Sequence, residues 1–133
     1  MAQRPQAPPA GPAATPRRRL PWASVVMTAV IVTALMIPGP DLPKVGFNGI
    51  DLLVHLCLFG AWGAAVQWEW ALRGWQQLLI GAAFAVGTET LQTLAVQRTF
   101  SVSDIVADFV GVSLGAALAW AVRQRSRQAV EQR

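Results

Sequence analysis

The sequence predicts an all-α polytopic membrane protein, a bundle of four transmembrane helices with both termini in the cytoplasm. Three observations carry that prediction. Of 133 residues, 53% are hydrophobic and only 14% are charged, too apolar a balance for one soluble domain. Four apolar runs each come near the roughly 20 residues that about 30 Å of hydrocarbon requires of a helix. The Lys and Arg residues then collect on one side of the topology those runs define.

Residues 1–16 are rich in Pro and Ala and show no apolar period, the composition of a disordered cytoplasmic tail. Arg17, Arg18 and Arg19 lead into the first run, about 20–37. That run exceeds the h-region of a signal peptide, and Ile37-Pro38-Gly39-Pro40 offers no small-x-small cleavage pattern, so an uncleaved span is expected. The second run covers about 50–68, the third about 75–96 and the fourth about 105–122, which makes residues 17–122 the transmembrane domain and 123–133 a basic cytoplasmic tail. Apolar residues are continuous within each run instead of alternating, which selects helices over barrel strands. Short connections at Arg73-Gly74 and between Gln97 and Ser103 make neighbouring helices antiparallel.

With the N-terminus inside, Arg4, Arg17, Arg18, Arg19, Arg73, Arg123, Arg125, Arg127 and Arg133 face the cytoplasm and only Lys44 and Arg98 lie outside. Trp22, Trp68, Trp70, Trp75 and Trp120 fall at the same inner interface, where indole rings prefer to sit, and Trp62 lies deeper. The net charge of +4 therefore reads as membrane orientation. A nucleic-acid surface would show basic residues interleaved with aromatics, and no nucleic-acid partner is expected. Cys57 is the single cysteine, which excludes an intramolecular disulfide.

The polar residues of the spans converge on the outer side. Asp51 and His55 open the second helix one turn apart on one face. Glu89 and Gln92 lie in the outer part of the third helix, Arg98, Ser101 and Ser103 belong to the following loop, and Asp104 and Asp108 begin the fourth helix. A carboxylate at mid-membrane costs about 3 kcal/mol on insertion scales, so carboxylates on separate helices should face one another or water. Asp104, Asp108, Gly111 and Gly115 recur at spacings of four, three and four and so share one stripe of the fourth helix. Gly111-x-x-x-Gly115 would let another backbone approach there. The third helix carries a similar stripe of Gly81, Ala85, Thr88 and Gln92.

Taken together, Asp51-x-x-x-His55, Glu89-x-x-Gln92, Arg98, Ser101, Asp104, Gly111 and Gly115 resemble the VanZ-like family of small bacterial membrane proteins over roughly residues 49–118. The family pattern has Glu and Gln one turn apart, an Arg-x-x-Ser-x-x-Asp loop, then Asn and Gly early in the last helix. Here Asp108 holds the usual Asn position, and Leu52 replaces the basic residue that often follows the first Asp. The resemblance implies the bacterial cytoplasmic membrane and an envelope role. The family's founding member is associated with resistance to glycopeptides, particularly teicoplanin.

Two function classes fit these residues. In the first, Asp51, His55, Glu89, Gln92, Arg98, Ser101, Asp104 and Asp108 line an outer pocket that binds a polyprenyl phosphate, a peptidoglycan-precursor headgroup or a lipophilic glycopeptide, with Arg98 gripping the anionic group. In the second, the same pocket is an enzyme acting on a phosphate ester or acyl group, with His55 as base and Glu89 or Asp108 as acid or metal ligand. A small proton-coupled transporter is a third option. Against these stand plainer roles: Asp51 and His55 as interfacial caps, Glu89 in a structural hydrogen bond, Ser101 and Ser103 as N-caps, and Glu69 and Arg73 as interfacial charges. No H-E-x-x-H or G-x-S-x-G occurs. The carboxylates and His55 are of the right type for a divalent cation, but no ligand spacing marks a metal, and neither metal nor cofactor is expected.

Overall fold

The computed structural model describes residues 21–36, 49–95 and 100–132. The predicted N-terminal tail, the segment holding Lys44 and the loop position Arg98 lie outside the described residues. Four α-helices make up the fold: α1 (Trp22–Met36), α2 (Gly49–Trp70), α3 (Gly74–Ala95) and α4 (Val102–Glu131). Of these, α2 and α4 are long and apolar enough to cross a membrane, whereas α1, at 15 residues, is shorter.

The α4 helix continues nine residues past the apolar run, from Val122 to Glu131. Hydropathy ends where lipid would end, but backbone hydrogen bonding does not. The Arg, Gln and Ala of this stretch are good helix formers and carry the helix onward in water. Between α2 and α3, Ala71 takes a left-handed conformation at φ 48°, and the turn closes on Gln76 and Gln77, whose N–H groups donate to Arg73 O.

The most extensive helix contact is α2 against α4, and glycine makes it. A Cβ on Gly111 would run into Leu56 O, one on Gly115 would run into Gly60 O, and one on Gly63 would lie 2.6 Å from Val112 O. Only hydrogen at these positions lets the two backbones meet. On α3, Gly81 receives the Val112 side chain, so α3 packs on the same part of α4. Packing around this seam, Ile31, Leu35, Phe59, Trp62, Val66, Ala85 and Val112 form the apolar core.

Polar side chains stitch the helices together at both ends. Near the start of α1, the Glu69 carboxylate accepts from Ala23 N at 2.7 Å and Ser24 N at 2.9 Å, capping that helix from the far end of α2. Trp62 Nε1 donates to Thr28 Oγ1 at 2.8 Å, and Arg123 lies 5.8 Å over the Trp68 ring. Toward the opposite end, Gln92 Nε2 donates to Leu35 O at 3.2 Å and ties α3 to α1.

The partition of residues is inverted relative to a soluble protein. His55, Gln77, Thr88, Glu89, Gln92 and Asp108 are all buried, while Val25, Leu53, Leu79, Leu94, Leu114 and Leu118 are exposed. Such a distribution suits lipid around the bundle and polar partners within it.

Candidate functional site

His55, Glu89 and Asp108 each lie six residues from the same end of the bundle, counted from Gly49, Ala95 and Val102. At 1.5 Å per residue this sets all three about 9 Å below that end. Three separate segments therefore deliver ionisable groups to one level.

The central contact is His55 Nδ1 with Asp108 Oδ1 at 2.9 Å, with both side chains only 1% exposed. It bridges α2 and α4 directly above the Gly111 contact, so the glycine seam that brings the backbones together also brings the imidazole to the carboxylate. The His55 ring runs nearly parallel to that of Phe59, one turn further along α2, and Phe59 and Trp62 pack in turn on Phe84. These aromatic rings form an apolar floor under the cluster.

Glu89 is buried, and its Oε1 accepts from Ser101 N, holding the start of α4 against α3. Ser101 is the N-cap of α4: its hydroxyl accepts from Asp104 N at 3.3 Å and shares a hydrogen bond with Ser103 Oγ at 2.9 Å. Asp104 is nearly buried and Asp51 is exposed. Asp51, His55 and Asp104 each offer one ligand atom, and these atoms all lie within 4.8 Å of one another. Among the described residues, His55 Nε2, Asp108 Oδ2 and Glu89 Oε2 are buried without a hydrogen-bond partner. Each such atom is costly to leave unmet, by about 1–3 kcal/mol or more when the group is charged.

Among the described residues the cluster is acidic. Every arginine among the described residues, Arg73, Arg123, Arg125 and Arg127, lies toward the other end of the helices. Beside the cluster on the outer flank of α2 and α4 runs an apolar groove of about 550 Å³, from Gly49 and Ser103 along Leu52, Leu56 and Val106 to Val110.

Of the residues singled out from sequence, Asp51, His55, Glu89, Asp104 and Asp108 meet at this end. Gln92 is buried but its amide is turned to α1, and Ser101 serves as cap and as a tether for Glu89. Arg98 lies outside the described residues. Gln77 escaped the sequence reading, although it extends the predicted stripe of Gly81, Ala85, Thr88 and Gln92 by one turn; its Nε2 donates to Gly63 O at 3.2 Å. Glu69 also went unrecognised as a cap, since nothing local to it points to a helix start 45 residues away.

A family model described as VanZ/LLP1 matches residues 15–123 of the chain. No curated protein and no solved structure matches it.

Proposed function

The chain belongs to the VanZ/LLP1 family, and from that premise we propose a multi-pass protein of the bacterial cytoplasmic membrane that binds the polar headgroup of an envelope lipid at its outer face. Family membership and the two long apolar helices point to a membrane-associated protein with an envelope role. Four spans with both termini inside follow from the sequence, where nine Arg residues would face the cytoplasm against Lys44 and Arg98 outside.

One observation carries the binding reading: the buried His55–Asp108 pair, flanked by Glu89 and opened to the exterior at Asp51. A bundle does not retain unmatched buried polar atoms for packing alone, because an apolar replacement would be less costly. A headgroup entering past Asp51 would meet the carboxylate oxygens with its hydroxyl or amide donors, while its phosphate calls for a cation, which the sequence supplies at Arg98. The adjoining apolar groove would take the first part of its chain, so a polyprenyl phosphate or a lipid-linked peptidoglycan precursor suits the whole surface. Sequestering such a headgroup, or the lipophilic glycopeptide that targets it, would give the family's link to teicoplanin a physical basis.

An enzymatic reading, hydrolysis or transfer at a phosphate ester or acyl group, has one specific support. Asp108 fixes the His55 ring through Nδ1 and leaves Nε2 as the nitrogen that would take a proton.

Mass spectrometry of lipids copurifying with the protein tests the binding reading. Polyprenyl-phosphate or precursor lipids should be enriched with wild-type protein and lost from His55→Ala and Glu89→Gln variants that still accumulate in the membrane. Equal recovery from both variants, or no enrichment with wild type, would refute it. Turnover of the added lipid by purified protein would favour the enzyme.

A further inference from the structure

We infer that Asp51, His55 and Asp104 form a site for one divalent first-row metal ion, such as Mn²⁺ or Zn²⁺, with Asp108 orienting the imidazole from behind. The inference goes beyond headgroup binding and stands on these side chains alone.

Three features of the geometry support it. The first is scale. Divalent ions of this type sit about 2.0–2.3 Å from imidazole nitrogen and carboxylate oxygen, so two ligand atoms on opposite sides of one ion are separated by about 4.0–4.6 Å. The ligand atoms of Asp51, His55 and Asp104 fall within 4.8 Å of one another, close to the span of a single ion's coordination sphere.

The second is the imidazole. His55 is 1% exposed, and its Nδ1 is engaged by Asp108 at 2.9 Å. That leaves Nε2, buried and without a hydrogen-bond partner among the described residues, as the ring nitrogen not already engaged. A carboxylate that accepts Nδ1–H while the opposite nitrogen binds metal is the usual way a ligating histidine is held in one tautomer and one orientation. Asp108 is therefore a positioning residue here.

The third is charge. Asp51, Asp104, Asp108 and Glu89 crowd one end of the bundle, and every described arginine lies toward the other. A cation at the three ligands would offset the acidic charge of these described residues. It would also turn an acidic site into one with open coordination positions facing outward past Asp51, where a phosphate oxygen or water can bind. One nitrogen and two oxygens favour Mn²⁺ or Zn²⁺ over Mg²⁺ or Ca²⁺, which prefer oxygen alone. The i, i+4 pair Asp51/His55 and the lone Asp104 carry no metal motif in sequence; the glycine contact between α2 and α4 is what assembles them.

The test uses the full-length protein, purified in detergent and stripped of metal, titrated with Mn²⁺ alone. Electron paramagnetic resonance should count one bound Mn²⁺ per chain, and pulsed spectra of the bound ion should carry the ¹⁴N modulation of a coordinated imidazole, here that of the sole histidine. Asp51→Asn, at the exposed mouth, and Asp104→Asn should each weaken binding at least about tenfold, and Asp108→Asn by about 10–100-fold. Glu131→Gln, at the far end of α4, should leave affinity within about twofold. Bound Mn²⁺ without ¹⁴N modulation, equal affinity in Asp51→Asn, or no binding below millimolar Mn²⁺ would each overturn the inference. Because the lipid is absent from this measurement, failure of the metal site and failure of headgroup binding are read separately.

Discussion

Substituting Gly115 by Ala tests how far the α2–α4 seam controls both stability and the site. A Cβ at this position would collide with Gly60 O and come within 2.8 Å of Gly60 C and 3.0 Å of Ala64 N. Carbon contacts settle near 3.5–4.0 Å, so the new methyl is short of room by about 0.7 Å or more against the carbonyl carbon. All three obstacles are backbone atoms, which cannot rotate aside as a side chain would, and α4 must move outward as a unit. Overpacking costs about 1–3 kcal/mol where side chains can yield, and a backbone contact belongs at the upper end of that range. Alanine returns about 1 kcal/mol through its better helix propensity, leaving a net loss of about 2 kcal/mol. Such a loss shifts the folding equilibrium roughly thirtyfold. Asp108 lies two turns from Gly115 on the same stripe, so an outward shift would also stretch its 2.9 Å contact with His55. Gly87→Ala is the matched control, with nothing within 4 Å of its new Cβ. Reversible unfolding in mixed detergent micelles, followed by circular dichroism, should show Gly115→Ala destabilised and Gly87→Ala unchanged or slightly stabilised. Equal stability of Gly115→Ala and wild type would refute the close approach.

Three further outcomes are expected. Glu69→Ala removes the cap on the first N–H groups of α1 and should cost about 0.5–1 kcal/mol in the same unfolding assay, with the loss in amide exchange protection confined to the start of α1. Ala71→Gly relieves a left-handed residue in the α2–α3 turn and should stabilise the protein by about 0.5–1 kcal/mol, read as a higher unfolding midpoint. Single cysteines at positions 51 and 125, in a Cys57→Ser background, should label with an impermeant maleimide from outside and only after permeabilisation, respectively. Identical labelling of both would contradict the four-span topology with both termini inside.

Much of the site was legible in the sequence because helix periodicity is local. Asp104, Asp108, Gly111 and Gly115 had to share a face whatever α4 packed against, and all four are buried. What the stripe met was not legible. Leu56 and Gly60 supply backbone to that contact, and backbone has no sequence signature of its own. The contact of His55 with Asp108 is likewise set by the rotation of α2 against α4. Glu69 illustrates the opposite case, a charge at a span boundary that reads as solvated until the fold brings a helix start to it. The extension of α4 to Glu131 was missed at the sequence level because hydropathy reports the solvent of a segment and not its hydrogen bonding.

The most direct test is a double-mutant cycle on His55→Gln and Asp108→Asn, measured as unfolding free energy in metal-free micelles. Buried contacting groups in one network typically couple by about 0.5–3 kcal/mol. The two substitutions should therefore be non-additive by at least about 1 kcal/mol, each single variant costing nearly as much as the pair. Additive losses would mean that imidazole and carboxylate do not meet inside the bundle, and the site built on them would not exist.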